Sequence, residues 1–102
     1  MKLQIHSVHF DASNGLTDFV QQKLNKLDTF YDRIVEGEVF LKHDNNSSTE
    51  NKIVEVKLFV PGSTLFAKEE AGTFESATDQ VLDSMSKQLK KYKDKMNAHN
   101  SH

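Results

Sequence analysis

Lys87, Lys90, Lys91, Lys93 and Lys95 place five ammonium groups within nine residues, in the stretch MSKQLKKYKDKMN (85–97). Ammonium groups at that density suit a row of phosphates, because each one neutralised releases counterions from a nucleic acid. The rest of the chain makes the block stand out. Residues 84–97 carry five lysines against Asp94, a net of +4, while residues 1–83 hold eight basic and fourteen acidic groups, a net of -6. The formal charge of the whole is only -2, so the distribution and not the total points to an anionic partner. A solvated helix end, with cations near the negative end of the dipole, accounts for one or two such lysines. Five call for a further reason.

Other chemistry is sparse. His6 and His9 are three apart on a strand-like stretch, so they would face opposite sides and could not share a metal. Glu69 and Glu70 would likewise be split between two faces of a strand. Asp79 and Asp83 stand i, i+4 on a helix and could share a cation, although such pairs are more often helix surface near a positive N-terminus. There is no nucleophile elbow, phosphate loop or HExxH. With no cysteine there is no disulfide and no thiolate chemistry. The expectation is a binding protein and not an enzyme, with no cofactor, metal or small-molecule substrate.

The elements that must carry the lysines can be read from periodicity. The 102 residues suffice for one small domain, expected over 1–97, with 98–102 as a frayed, disordered tail. The longest apolar run is three residues, too short for a membrane span, and MKLQIHSVHF lacks the apolar stretch of a signal peptide. A cytoplasmic protein is expected. Lys2 to Phe10 alternates as a strand, with a slip of phase near Ser7. Ser13 can cap a helix of about five turns, whose stripe is Leu16, Phe19, Val20, Leu24, Leu27, Phe30 and Tyr31. Gly15 in its first turn costs up to about 1 kcal/mol against alanine.

Three strands follow, with faces Val35, Gly37, Val39, Leu41; Val54, Val56, Leu58, Val60; and Leu65, Ala67, Ala71. A polar loop, DNNSSTEN (44–51), joins the first two, and Pro61–Gly62 turns the chain between the second and third. Thr73 can cap a second long helix with the stripe Phe74, Ala77, Val81, Leu82, Met85, Leu89, Tyr92 and Met96. The fold class is α+β, in the order β-α-β-β-β-α, a four-stranded sheet with two helices packed on one face.

The helical wheel sets the basic groups. With Lys87 at zero, Lys91 falls at about 40°, Lys95 at about 80°, Lys90 at about 300° and Lys93 at about 240°, all away from the apolar stripe. On the first helix Lys23 falls inside the stripe and Lys26 at its margin. Lys23 can snorkel its stem along apolar surface or point into a groove beside the second helix. Arg33, just beyond, could extend the patch, its guanidinium matching phosphate oxygens. On the outer sheet face Phe40, Phe59 and Phe66 alternate with lysines as in a base-stacking platform, but the interleaved Glu38, Glu55 and Glu70 favour cross-strand packing instead.

FVQQKLNKLDTFYDRI (19–34) with FLK (40–42), and ESATDQVLDSMSKQLKKYKDK (75–95), resemble the ribosome hibernation promoting factor family, also called the sigma-54 modulation or ribosome-associated inhibitor family. The lysine pair of KLNKL, then FYDRI, then the aspartate of ATDQVLD, then KQLKKYKDK occur in the family's order and spacing. The resemblance covers nearly the whole chain. It implies the same β-α-β-β-β-α fold and a partner, the small ribosomal subunit with its 16S rRNA. Members lie in the channel of mRNA and tRNA and silence translation under starvation or in stationary phase. Carried over by position, the implied RNA-binding residues are Lys23, Lys26, Arg33, Lys87, Lys91, Lys93 and Lys95; Lys90 joins them on geometry. The chain departs from the family in TFESATD, where Phe74 stands one position early, and in the acidic AKEEA. Ending just after the second helix, it resembles the short members, without a second domain for pairing ribosomes, and would be monomeric when free. Two other readings use the same residues. One is a generic double-stranded-RNA module, although those place their lysines at the start of the last helix. The other is a protein-interaction regulator of transcription, with the lysine row meeting an acidic surface.

Overall fold

A computed structural model describes residues 1–44 and 51–100, the last four by backbone alone. Strand β1 (Leu3–Ser7) leads through helix α1 (Asn14–Leu24) and a 3-10 segment (Asn25–Thr29) to β2 (Glu36–His43), β3 (Lys52–Val60), β4 (Ser63–Ala71) and helix α2 (Phe74–Asn100). The order β-α-β-β-β-α is as the periodicity predicts. The sheet runs β1-β2-β3-β4, with β1 parallel to β2 and the other pairs antiparallel. A parallel neighbour needs a crossover, and α1 with its 3-10 segment supplies it.

Each boundary has a local cause. The slip of phase near Ser7 marks the end of β1, and two residues on, His9 takes a left-handed φ of 65°. Ser13 Oγ accepts from the Leu16 amide at 3.1 Å, and Thr73 Oγ1 accepts from the Ser76 amide at 3.0 Å, so both expected caps are in place. Val60 pairs with Ser63 across the two-residue Pro61–Gly62 turn, where Gly62 has a φ of 80°. The polar loop expected over 44–51 falls on residues 45–50, outside the described residues. At its base the Asp44 amide donates to the Asn51 carbonyl at 2.8 Å.

One sheet face and both helices enclose the core. Val39, Leu41, Val54, Val56 and Leu58 meet Val20, Leu24 and Leu27 from one side of the chain and Ala77, Val81, Met85 and Leu89 from α2, all fully buried. Three apolar residues depart from the expected faces. Val35 precedes β2 and is 64% exposed; Phe30 follows the 3-10 segment and is 46% exposed; Met96 is 37% exposed. Met96 lies out because α2 outruns its support. Its 27 residues span about 40 Å, whereas a nine-residue strand covers about 30 Å. The helix backbone continues to Asn100.

The first helix also differs from a single run of five turns. It tightens to 3-10 geometry at Asn25, where Thr29 Oγ1 donates to the Lys26 carbonyl at 2.6 Å. Asp28 turns instead to the Met1 amino group at 2.5 Å. That change of winding swings Phe30 out of the stripe while Leu27 and Tyr31 stay in the core. No helix among the described residues is long and apolar enough to cross a membrane.

Two glycines give opposite stability tests. A Cβ on Gly15 would meet only Ser13 Oγ, at 3.9 Å, so Gly15→Ala is predicted to raise unfolding stability by up to about 1 kcal/mol. A Cβ on Gly37 would lie 2.6 Å from Leu3 Cδ2 and 3.2 Å from the Lys57 carbonyl oxygen. Gly37→Val should therefore cost about 1–3 kcal/mol by overpacking. Urea titration reads both; equal midpoints for the two variants would contradict this packing.

Candidate nucleic-acid interface

The basic residues are placed by the burial of α2. Packing of its apolar stripe on the sheet and on α1 fixes the rotation of the helix, and so the direction in which each lysine leaves it. Two side-chain contacts identify the flank that faces β4. Ser84 Oγ donates to Glu69 Oε1 at 2.7 Å, and Gln88 Nε2 donates to the Phe66 carbonyl at 2.7 Å. Measured from Lys87, Ser84 lies at about 60° and Gln88 at about 100°, the sector that also holds Lys91 and Lys95. Asp79, Leu82, Asp83 and Ser86 lie at about 220–320°, toward the first helix, and this sector holds Lys90 and Lys93.

The eight candidate cations therefore do not form one row beside α1. Lys26 lines the cleft between the two helical segments, Lys23 and Lys87 pair with the aspartates of its α2 wall, and by angle Lys90 and Lys93 leave α2 on that side while Lys91 and Lys95 leave it toward β4. Arg33 sits in the exposed turn after the 3-10 segment. Two residues before it, the Tyr31 ring meets Tyr92 edge-on with centroids 5.8 Å apart, so this turn lies beside the second half of α2. The Tyr92 hydroxyl also donates to the Pro61 carbonyl, tying that part of the helix to the β3–β4 turn.

Lys23 combines both roles open to it from its sequence position. Its Nζ lies 5.5 Å from the Phe19 ring centroid and 3.3 Å from Asp79 Oδ1 on the other helix. Lys87 pairs with Asp83 one turn back at 3.1 Å. The aspartates thus serve as counter-charges to two of the candidate lysines. Such solvent-exposed pairs contribute about 0–1 kcal/mol, so a phosphate can compete for either lysine at little cost. Lys26, Arg33, Lys90, Lys91, Lys93 and Lys95 are exposed and make no ion pair among the described residues.

A groove of about 340 Å³ lies between the 3-10 segment and α2, with Lys26, Thr29 and Phe30 on one wall and Asp79, Leu82, Asp83 and Ser86 on the other. Sequence periodicity assigns Phe30 to the core and so misses it as a wall residue. The available signal was the polar Asp28–Thr29 step, whose side chains compete with continued α-helix.

The outer sheet face around Phe40 is occupied by its own contacts. The His6 ring stacks on Phe40 at 5.0 Å, and Lys42 and Lys57 place their ammonium groups 5.9 and 5.7 Å from the Phe40 centroid. Lys42 also pairs with Glu55 at 2.9 Å. Cross-strand packing describes the Phe40 half of this face, while Phe66 on β4 is 46% exposed. His9 lies outside β1, and among the described residues no cluster of three or more histidine or carboxylate side chains could hold a metal ion.

Comparison with known proteins agrees with this architecture. The ribosome hibernation promoting factor of Klebsiella oxytoca is 31% identical over 99 residues, covering 97% of this chain and 100% of that protein. The factor of the same name from Pseudomonas putida is 30% identical over 95 residues, 93% of this chain and 89% of its own. Among solved structures, a ribosomal subunit interface protein from Coxiella burnetii superposes with a TM-score of 0.80 at 28% identity, over 91% of this chain and 98% of that one. The N-terminal domain of Protein Y from Thermus thermophilus shares the fold, with a TM-score of 0.78 at 22% identity over 90% of this chain and 99% of its own. The family described as "Sigma 54 modulation protein / S30EA ribosomal protein" matches residues 3–97, and the chain belongs to it.

Proposed function

We propose that this protein binds the small ribosomal subunit through phosphates of its 16S rRNA, lies in the channel of mRNA and tRNA, and holds ribosomes silent under starvation or in stationary phase. It does so as a stoichiometric binder acting in the cytoplasm as a monomer, without cofactor or catalysis. The observation that carries this reading is the basic border of the α1–α2 cleft on an otherwise acidic molecule. The names of its relatives, ribosome hibernation promoting factors and a ribosomal subunit interface protein, supply the partner.

The proposed contacts are Lys23, Lys26, Arg33, Lys87, Lys90 and Lys93, which border one cleft or its end. Lys91 and Lys95 extend the positive field along the outer flank of α2. The acidic remainder orients the protein by repelling RNA from its other surfaces.

Affinity that comes mainly from phosphate neutralisation must fall steeply with salt. About five phosphate contacts give a slope of log K against log salt of roughly -3.5 to -4.5, measurable by titration of small subunits. A nearly flat dependence would overturn the mechanism. Competition by free duplex RNA as strong as that by subunits would point to a generic double-stranded-RNA module instead.

Geometry also ranks the lysines. Replacing Lys90 and Lys93 by glutamine should make the slope shallower by about two, one per lost phosphate contact. The Lys91→Gln/Lys95→Gln variant should change it less. A larger change for the second pair would place the RNA on the β4 flank of α2.

A further inference from the structure

We propose that the groove between the 3-10 segment and α2 receives one unstacked nucleobase of the bound RNA, stacked on Phe30. This rests on the RNA-binding reading above and adds what phosphate contacts lack, a means of recognising a base.

Two properties of the groove favour a base over a phosphate or an apolar peptide side chain. Each wall offers apolar surface, the Phe30 ring, 46% exposed, on one and half-buried Leu82 on the other. Its α2 wall carries Asp79 and Asp83, which repel a phosphate and disfavour a purely apolar insert. At about 340 Å³ the groove stands at the small end of ligand clefts, roughly 300–1,000 Å³, matching a single ring system more closely than a long ligand.

Charge arrangement supplies the orientation. Lys23 engages Asp79 Oδ1 and Lys87 engages Asp83 Oδ2, so each carboxylate keeps its second oxygen as an acceptor. Those oxygens select base edges that donate hydrogen bonds. Guanine presents N1–H and N2–H2 side by side, adenine and cytosine present one amino group, and uracil presents only N3–H. Guanine is therefore the preferred occupant. Lys26 on the near wall, Lys23 and Lys87 at the two carboxylates, and Lys90 one turn along α2 surround the mouth with cations for the flanking phosphates. A base held on an aromatic ring while phosphates lie on lysines is the usual division of labour in single-strand recognition.

Stacking and phosphate contacts differ in their response to salt, and this makes the proposal testable. Phe30→Ala should weaken small-subunit binding roughly 5- to 150-fold while leaving the salt slope unchanged. Phe30→Trp should retain affinity, and because the chain has no tryptophan it introduces a single fluorophore. Its emission should be quenched by small subunits and by a short single-stranded RNA with a central guanine, and much less by the same RNA made abasic there. Phe30 is half-exposed, so both variants should unfold at the wild-type urea midpoint. Wild-type affinity for Phe30→Ala, or emission unmoved by either RNA partner, overturns the groove inference and leaves the ribosomal reading intact. Failure of the wild-type protein to bind small subunits overturns the ribosomal reading; the short-RNA titration then decides the groove by itself.

Discussion

The rotational setting of α2 is the constraint on which the rest depends. Val81, Met85 and Leu89 are fully buried against the sheet and the first helical segment, and truncating Met85 or Leu89 to alanine would leave a cavity costing about 2–5 kcal/mol. Successive side chains on the helix are turned by about 100°, so anchoring this stripe also aims every lysine. Lys90 and Lys93 are directed to the cleft beside α1, and Lys91 and Lys95 to the β4 side, where Glu69–Ser84 and Phe66–Gln88 contacts hold the same flank. Hydrophobic burial thereby decides an electrostatic pattern that local charge alone would leave undirected.

The first helical segment supplies the other wall through an irregularity. A continuous α-helix to Tyr31 would have carried Phe30 along the buried stripe. Tightening to 3-10 geometry over Asn25–Thr29 keeps Leu27 and Tyr31 inside and releases Phe30 to the cleft. The departure from ideal winding thus creates an exposed aromatic that borders both Lys26 and the Asp79–Asp83 wall. Two weak ion pairs, Lys23 with Asp79 and Lys87 with Asp83, keep the cleft nearly neutral inside and positive at its margins.

Much of this was legible because it is local. Ser13 and Thr73 are capping residues at the points where apolar periodicity changes, and Pro61–Gly62 has the chemistry of a two-residue turn. The alternating faces of β2 and β3 show which side is buried. What escaped depends on distant partners. Strand order and the parallel pairing of β1 with β2 rest on contacts across the chain. The end of α1 as 3-10 helix involves Asp28 reaching Met1, 27 residues away. The outward placement of Met96 reflects the length of α2 relative to the sheet. For the candidate site, a wheel shows that the lysines avoid the core, but not which neighbour stands on each side of the helix. The division of the lysines between two flanks, and the aspartate partners of Lys23 and Lys87, therefore became visible only in three dimensions.

In the proposed complex the helical side of this domain, and not the outer sheet face, meets RNA. Electron cryo-microscopy of the protein bound to the small ribosomal subunit tests it most directly. The map is expected to show rRNA phosphates against Lys23, Lys26, Lys87, Lys90 and Lys93, with the His6–Phe40 face turned away from RNA. A density map with rRNA lying on the His6–Phe40 face and the α1–α2 cleft open to solvent would contradict it.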